Sequence, residues 1–199
     1  MSKIAFFDFD GTITTKDTLL EVIKAQKGKA AFYTGFIINA PVLIGFKLKL
    51  ISNQVAKERM LKYFFGGDSI SSFQQGCDAF IDRQLPLIIR PQALAEIEML
   101  KAAGFKIVIV SASPQNWIKR WSDSMGLGLI ATQLEVAGDR LTGFIKGKNC
   151  NAEEKVIRIK AEFDLSAYKE IYCYGDSNGD KAMLALATKA FYKPFRTVS

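Results

Sequence analysis

A short apolar run that ends in two aspartates constrains the fold of this chain more than any other feature. Residues 4–7 (Ile-Ala-Phe-Phe) predict a β-strand that is buried on both faces, as in parallel sheets. Asp8 and Asp10 follow at its carboxyl end, where open α/β sheets bind their ligands. Side chains two residues apart on a strand point to the same side, so both carboxylates should face one pocket. Because close carboxylates repel unless a metal or a shared proton compensates, the pair indicates a functional site. A solvated turn is the alternative.

Two further apolar segments end in polar residues in the same way. Residues 105–110 predict a second strand that is followed by Ser111, and residues 170–174 predict a third that leads into a loop with Asp176 and Asp180. The carboxyl ends of neighbouring parallel strands meet at one edge of a sheet. We therefore expect these two acids and the serine hydroxyl to lie near the first pair of aspartates.

A lysine between the second and third predicted strands adds a positive charge to this set. Lys155 falls in the first turn of a helix predicted over residues 151–163. Its charge is unfavourable to the helix dipole there, which indicates a specific role for this lysine.

The residues of this set have the chemistry of a phosphoryl-transfer site. A ligand set of oxygen atoms, without His or Cys, suits Mg²⁺. A carboxylate can act as a nucleophile and form an aspartyl-phosphate. Phosphoryl transfer needs mainly positioning and charge neutralisation, which these groups supply.

The segment after the first strand carries helical patterns and no strand signal. It separates the first strand from all the others, which predicts a cap inserted into an α/β domain. We expect a three-layer, Rossmann-like core with a parallel sheet, and an all-helical cap. The ranges are 1–13 and 86–199 for the core and 14–85 for the cap, with helices at 16–27, 55–65 and 69–85.

The rest of the core region shows weaker local signals. Ser113 and Pro114 predict the start of a helix, which would place Ser111 beside a helix N-terminus that favours anions. The remaining predicted elements are helices over 92–103 and 181–189, a small β-hairpin over 131–145 and a short last strand over 191–195.

The composition of the chain limits which catalytic groups and binding partners it can use. The chain has no histidine, which excludes Ser-His-Asp and Cys-His catalysis and the usual zinc sites. Its net charge of +7 comes from scattered lysines and arginines, so an anionic small molecule or a membrane surface is favoured over nucleic acid. Cys77, Cys150 and Cys173 are odd in number and far apart, which predicts reduced, mostly buried thiols in a cytoplasmic protein.

An uncharged stretch over residues 30–46 leaves three interpretations open. It is slightly short for a membrane span, which needs roughly 20 apolar residues, and Asn39 and Pro41 interrupt it. A buried helical hairpin of the cap is one interpretation, and a surface that binds a membrane or a lipid tail is the second. A true span is the third. Lys47 and Lys49 follow the stretch directly.

Four motifs occur in order along nearly the whole chain. They are Asp8-Phe9-Asp10-Gly11-Thr12, Val110-Ser111-Ala112-Ser113, Lys155 ahead of a helix, and Gly175-Asp176-Ser177-Asn178-Gly179-Asp180. This order resembles the haloacid dehalogenase superfamily, in its phosphoserine-phosphatase-like branch. The resemblance implies a Mg²⁺-dependent phosphatase that forms an aspartyl-phosphate intermediate.

The resemblance also implies a role for each motif residue. Asp8 would attack phosphorus, and Asp10 would protonate the leaving oxygen and later activate water. Mg²⁺ would bind the carboxylates of Asp8 and Asp176 and the backbone carbonyl of Asp10. The residues implied to bind phosphate or to support the site are Gly11, Thr12, Ser111, Ala112 and Lys155, with Ser177 and Asp180 as supports.

The substrate stays open between two classes. A small phosphorylated metabolite resembling phosphoserine would use an early acid of the cap, Asp17 or Glu21, but Lys57 and Arg59 match the expected arginine poorly. The last motif also departs from that of the phosphoserine enzymes. The alternative is a lipid phosphate such as phosphatidylglycerophosphate, because the apolar stretch resembles that of lipid-phosphate relatives.

Two other function classes fit the sequence less well. A phospho-acceptor of the response-regulator type also uses clustered aspartates, a hydroxyl and a lysine, but it has no large insertion after its first strand. A membrane-surface protein with a vestigial site is the second. Peripheral membrane contact through the cap is therefore kept as an open alternative for a protein expected to be cytoplasmic, and no oligomeric state is predicted.

Overall fold

A parallel five-stranded sheet lies at the centre of the computed structural model, which describes residues 2–196. The strand order is β3-β2-β1-β6-β7, and β4 and β5 form a separate antiparallel hairpin. The strands are β1 (Ser2–Phe7), β2 (Phe105–Pro114), β3 (Gly128–Thr132), β4 (Leu134–Ala137), β5 (Arg140–Ile145), β6 (Tyr168–Gly175) and β7 (Lys189–Tyr192).

Nine helices of very different length occur in the described residues. They are α1 (Thr18–Ile38), α2 (Ala40–Lys47), α3 (Asn53–Phe65), α4 (Ile70–Arg83), α5 (Leu85–Ile88), α6 (Pro91–Ala102), α7 (Lys119–Ser124), α8 (Glu153–Glu162) and α9 (Lys181–Leu184).

Strand β1 is buried on both faces, as its sequence predicts. Ala5 and Phe7 contribute to one apolar cluster, which also contains residues of α6 and α7. Ile4 and Phe6 contribute to the other, which contains residues of α8 and α9. Adjacent side chains on a strand point to opposite faces, so one short run supplies both clusters. The predicted three-layer α/β architecture is confirmed.

Helices α1 to α5 are all inserted between β1 and β2. The chain leaves the sheet and returns to it through two adjacent linkers, because Thr14 and Ile89 form an antiparallel bridge. The Thr15 amide donates to the Ile88 carbonyl at 2.7 Å, and the Arg90 amide donates to the Ile13 carbonyl at 2.8 Å. The chain thus enters and leaves the helical segment through two linkers that lie side by side. Residue 1 and residues 197–199 of the predicted core range lie outside the described residues.

The predicted helix start at Ser113 and Pro114 is wrong. Strand β2 continues to Pro114, which pairs with Thr132 of β3, and only a single turn of 3₁₀ helix follows at residues 115–117. The reason lies in Ser113, whose buried hydroxyl donates to Asp10 instead of capping a helix. No helix N-terminus therefore begins beside Ser111.

Two other predicted elements have different boundaries. Residues 128–132 form β3 at the edge of the main sheet, so the hairpin begins only at Leu134. The predicted helix over 181–189 ends at Leu184, and β7 starts at Lys189 instead of residue 191. The apolar side chains after Leu184 continue into a strand that pairs with β6, and this pairing overrides the local helical pattern.

The uncharged stretch over 30–46 forms the second half of α1 and most of α2, with Asn39 between the two helices. Phe32 and Gly35 are buried, whereas α2 contains no buried residue, so the predicted cap core includes only part of the stretch. No single helix among residues 2–196 is long and apolar enough to cross a membrane. Helices α1 and α2 meet that criterion only as a pair, and the pair is bent by 63°.

Candidate functional site

Asp8 lies at the floor of a cavity of about 360 Å³ at the carboxyl edge of the sheet. Its amide donates to the carbonyl of Tyr174 in β6 at 2.9 Å, which continues the pairing of the two strands by one residue. Its Oδ1 accepts from Lys155 Nζ at 2.5 Å, and its Oδ2 accepts from Thr12 Oγ1 at 3.3 Å. Burial raises the pKa of Asp8 to about 7, and the Lys155 ammonium opposes this shift.

Asp10 is held by a different set of partners from those of Asp8. Its Oδ1 accepts from the amide of Thr18, the first residue of α1, at 2.6 Å. Its Oδ2 accepts from the hydroxyl of Ser113 at 2.6 Å. The two aspartates thus share a cavity while one contacts a cation and the other contacts neutral donors. Such different surroundings suit two carboxylates to different tasks.

A buried hydrogen-bond chain supports Asp10. The Trp117 indole N–H donates to Thr18 Oγ1 at 2.9 Å, and Thr18 Oγ1 lies 3.2 Å from Ser113 Oγ. Because Ser113 uses its single hydroxyl hydrogen on Asp10, Thr18 must donate to Ser113. The chain fixes the orientation of every hydroxyl that it contains, and so it fixes the position of the Asp10 carboxylate.

Lys155 is the most deeply buried cation of the site. Its side chain is 1% exposed, and Nζ contacts Asp8 Oδ1 at 2.5 Å and Asp180 Oδ1 at 2.7 Å. Burial alone would lower the pKa of Lys155, but the two carboxylates outweigh it and raise the pKa above its usual value. These two partners explain why a lysine is placed in the first turn of α8 against the helix dipole.

Asp180 connects the lysine to the loop after β6. Its Oδ2 accepts from the amides of Asp176 and Ser177 and from the Ser177 hydroxyl, at 3.1, 2.9 and 2.7 Å. Burial raises the pKa of Asp180, but the Lys155 ammonium and these donors outweigh it and lower the pKa below its usual value. Both oxygens of Asp180 therefore have partners within the protein.

Three carboxylates are close enough to hold a metal ion together. Oxygen atoms of Asp8, Asp176 and Asp180 lie within 4.8 Å of one another. Asp180 accepts four hydrogen bonds and Asp8 accepts two, whereas Asp176 accepts one, from Arg196, and so has the fewest protein partners of the three. Their all-oxygen chemistry fits Mg²⁺. Gly11, at φ +79°, passes so close to Asp176 that any Cβ at this position would collide with its carboxylate.

The C-terminal segment also reaches this group of acids. Arg196 donates from a guanidinium nitrogen to Asp176 Oδ2 at 2.6 Å. Asp176 is partly buried, and burial together with Asp180 raises its pKa, while Arg196 opposes the shift. Arg196 thus pairs with Asp176, whereas Lys155 pairs with the other two carboxylates of the group.

The cavity brings together eight of the ten predicted site residues. The two others, Thr12 and Ser111, are buried just behind its wall. Ser111 Oγ accepts from the Ser113 amide at 3.0 Å, and the Gly11 amide donates to Thr14 Oγ1 at 3.3 Å. The eight residues that line the cavity are Asp8, Asp10, Gly11, Ala112, Lys155, Asp176, Ser177 and Asp180.

The helical segment contributes Asp17 and Lys57 to the cavity, two residues that the sequence offered only as alternatives for contacting the substrate. Lys57 of α3 donates to the carbonyl of Ala112 at 2.9 Å, and burial lowers its pKa although Asp10 and Asp17 oppose this. Asp17 caps α1 by accepting from the Leu20 amide at 3.2 Å and also lines the cavity. Lys57 approaches a core strand from more than 50 residues away, so its sequence neighbours carry no signal of this contact.

Ser113 provides a prediction about the position of Asp10. We expect Ser113→Ala to lower kcat about tenfold, because a hydrogen bond to a carboxylate is worth about 1.5–3 kcal/mol. The KM for an aryl phosphate should change little. Steady-state kinetics checks this, with Ser124→Ala as the control, since that hydroxyl donates only to the Trp121 carbonyl. Equal kcat values for the two variants would show that activity does not depend on the contact between Ser113 and Asp10.

Comparison with known proteins assigns the chain to a family. The model of haloacid dehalogenase-like hydrolases matches residues 5–185. Protein CicA of Caulobacter vibrioides is 33% identical over 192 residues, which cover 96% of this chain and 85% of CicA.

Solved structures show the same fold. A Bordetella pertussis protein of unknown function superposes with a TM-score of 0.83 at 24% identity, covering 96% of this chain and 89% of its own. A phosphoserine phosphatase, solved as an analogue of its phospho-aspartyl intermediate, gives a TM-score of 0.69 at 16% identity over 95% of this chain and 85% of its own. The match of the family model and the CicA relationship together show that the chain belongs to the haloacid dehalogenase-like hydrolases.

Proposed function

We propose that this protein is a Mg²⁺-dependent phosphomonoesterase that acts through an aspartyl-phosphate. The observation that carries the proposal is the different surroundings of the two aspartates. Asp8 contacts the Lys155 ammonium at the cavity floor, whereas Asp10 is bonded to an amide and a hydroxyl. A nucleophile needs to meet an anionic phosphoryl group beside a cation, and an acid–base group needs to exchange a proton.

The two aspartates would divide the reaction between them. Asp8 Oδ attacks phosphorus, and the bond to the ester oxygen breaks as Asp10 delivers a proton to that oxygen. Asp10, now ionised, removes a proton from a water molecule, which attacks phosphorus and releases phosphate from Asp8. Acid–base assistance of this kind is worth about 10²–10⁴ in rate.

Lys155 and the backbone around Asp8 would bind the phosphoryl oxygens. Lys155 already directs its ammonium at Asp8 Oδ1. Asp180 would hold that ammonium in place through its other contact. Asp8 and Asp176, with the Asp10 carbonyl, would hold Mg²⁺, which when bound would neutralise phosphoryl charge. Gly11, Thr12, Ser111 and Ala112 are proposed as further parts of the phosphate site, with Ser177 as a support through Asp180.

We also propose that residues 14–85 act as a cap that determines the substrate. Asp17 and Lys57 both come from this segment and place opposite charges on the cavity wall. Such a pair suits a small phosphorylated metabolite with both a cationic and an anionic group, as in phosphoserine. A lipid phosphate is the second candidate, favoured by the exposed apolar side chains of the same segment. A screen that ranks kcat/KM for phosphoserine and for dispersed lipid phosphates separates the two candidates.

Removal of the metal tests the reaction class. We expect EDTA to abolish turnover of p-nitrophenyl phosphate, because the three close acids carry more negative charge than Lys155 and Arg196 neutralise. Added Mg²⁺ should restore the rate, and Ca²⁺ should restore less, because Ca²⁺ adopts larger and less regular coordination. Full turnover in EDTA would contradict a metal-dependent phosphatase.

A further inference from the structure

The end of α1, the whole of α2 and the turn before α3 expose an unusual number of large apolar side chains. We call the surface they form the basic apolar surface. Its members are Tyr33, Ile37, Ile38, Ile44, Phe46, Leu48 and Leu50, together with the lysines Lys29, Lys47 and Lys49. Leu50 and Ile37 are the most exposed of the apolar members, at 79% and 75%.

Helix α2 is the clearest sign that this surface has a partner. Its sequence is Ala-Pro-Val-Leu-Ile-Gly-Phe-Lys, yet none of its residues is buried. A helix that is apolar on all sides is normally covered by other parts of a protein or by lipid. Large contiguous apolar patches on a monomer usually mark a site of interaction.

The segment that forms this surface contains charged side chains of one sign only. The sequence contains no Asp or Glu between Glu21 and Glu58, although six lysines lie in that interval. Among residues 2–196, none of the ion pairs involves Lys29, Lys47 or Lys49. Each lysine near an anionic membrane contributes to binding, and aliphatic side chains beside them enter the boundary between headgroups and acyl chains.

We infer that the basic apolar surface docks this protein on anionic lipid bilayers as a peripheral membrane protein. A second copy of the chain suits the surface less well, because a two-fold contact would bring its lysines against one another. The core of a protein interface is also normally poor in lysine. A bilayer with anionic headgroups suits the surface better, since its headgroups carry negative charge for the lysines and its acyl chains form an apolar layer for the aliphatic side chains.

The position of the surface relative to the cavity gives the docking a consequence. Leu50 precedes Asn53 by three residues, and Asn53 lines the cavity that contains Asp8. Three residues of chain span at most about 11 Å. The part of the cavity wall formed by Asn53 therefore lies within about 11 Å of chain from one member of the docked surface. Docking itself does not depend on the proposed phosphatase activity.

Vesicle co-sedimentation tests this inference. The full chain is mixed with phosphatidylcholine vesicles, with or without phosphatidylglycerol, in saturating inorganic phosphate so that the catalytic cavity is occupied in both arms. We expect binding to the mixed vesicles that weakens as salt is added, because surface charges are screened. The double variant Lys47→Gln and Lys49→Gln should bind about 30-fold more weakly. Each lysine near an anionic membrane contributes about 1 kcal/mol to binding, and each 1.4 kcal/mol changes the affinity about tenfold.

The chain offers matched controls for both parts of the surface. Leu50→Asn should weaken binding at least tenfold, whereas Leu87→Asn should not, although the two leucines are exposed to 79% and 81%. Lys160→Gln with Lys169→Gln removes the same charge from two exposed lysines elsewhere and should leave binding unchanged. Turnover of p-nitrophenyl phosphate should be unchanged in all of these variants and shows that they are folded.

Three results would overturn the inference. The first is no binding of the wild-type chain to either kind of vesicle. The second is equal weakening by Leu50→Asn and its Leu87→Asn control. The third is a dimer in sedimentation velocity that Leu50→Asn dissociates, which would identify the surface as a contact between copies of the chain.

Discussion

Asp8→Asn is expected to reduce phosphatase activity by more than about 10⁴-fold, because an amide cannot replace the carboxylate that we propose as the nucleophile. The fold should persist, since Lys155 keeps its contact with Asp180 and the buried carboxylate is replaced by a neutral group of the same shape. Steady-state turnover of p-nitrophenyl phosphate with Mg²⁺ measures the loss. A thermal unfolding curve in the same buffer measures the stability.

The control for this experiment is Asp123→Asn, which changes an exposed aspartate that pairs only with Lys119 in the same helix. It should retain wild-type turnover. A second readout distinguishes the nucleophile from a residue that merely binds the metal. Acid-quenched wild-type enzyme should retain label from a ³²P-substrate, and the Asp8→Asn enzyme should retain none. Label on a different residue would assign the nucleophile elsewhere.

Lys155→Met is expected to destroy activity and also to destabilise the protein, which separates it from Asp8→Asn. Methionine fills a similar volume but leaves Asp8 and Asp180 buried without a countercharge. Breaking a buried ion pair by removal of one partner costs about 3–5 kcal/mol. For a chain of this length each kcal/mol lowers Tm by about 2–4 °C, so the loss is measurable by differential scanning calorimetry.

A double-mutant cycle checks the cause of that destabilisation. Asp180→Asn added to Lys155→Met should recover part of the lost stability, because one of the two uncompensated charges is removed. Activity should not return, since the cation proposed to bind the phosphoryl group is still missing. Lys160→Met, on an exposed position of the same helix, provides the control for a change of lysine to methionine. A Tm equal to that of wild type in Lys155→Met would show that the ion pairs contribute nothing to folding.

The strands that end in acids were predictable because their signals are local. An apolar run such as residues 4–7 can only be buried on both faces, and the acids after it must then lie at the edge of a sheet. The helix predicted over 92–103 is α6, and it ends just before Gly104, which has φ +79°. The three cysteines are buried and unpaired, as their spacing suggested, and burial raises the pKa of the Cys77 thiol to about 12.

The features that sequence reasoning missed depend on contacts between distant residues. Ser113 has the sequence of a helix cap, but its partners are Asp10 and Thr18, which lie about 100 residues away. The edge strand β3 is short, and its identity comes from pairing with β2. A periodic pattern cannot show that α2 lacks a covering partner, because burial is decided by elements that pack or fail to pack against it.

The amide that Thr18 donates to Asp10 has a consequence for recombining parts of related enzymes. This amide belongs to the first turn of α1, so the hydrogen bond joins the inserted helices to the carboxyl edge of the sheet. A chimera that receives another enzyme's insertion must therefore begin its first helix at the same distance from Asp10. A graft with one residue more or fewer in the linker would rotate that helix by about 100° and direct the amide elsewhere. Whether a transplanted insertion is compatible with the core thus depends first on the length of this linker, and only then on the side chains that face the substrate.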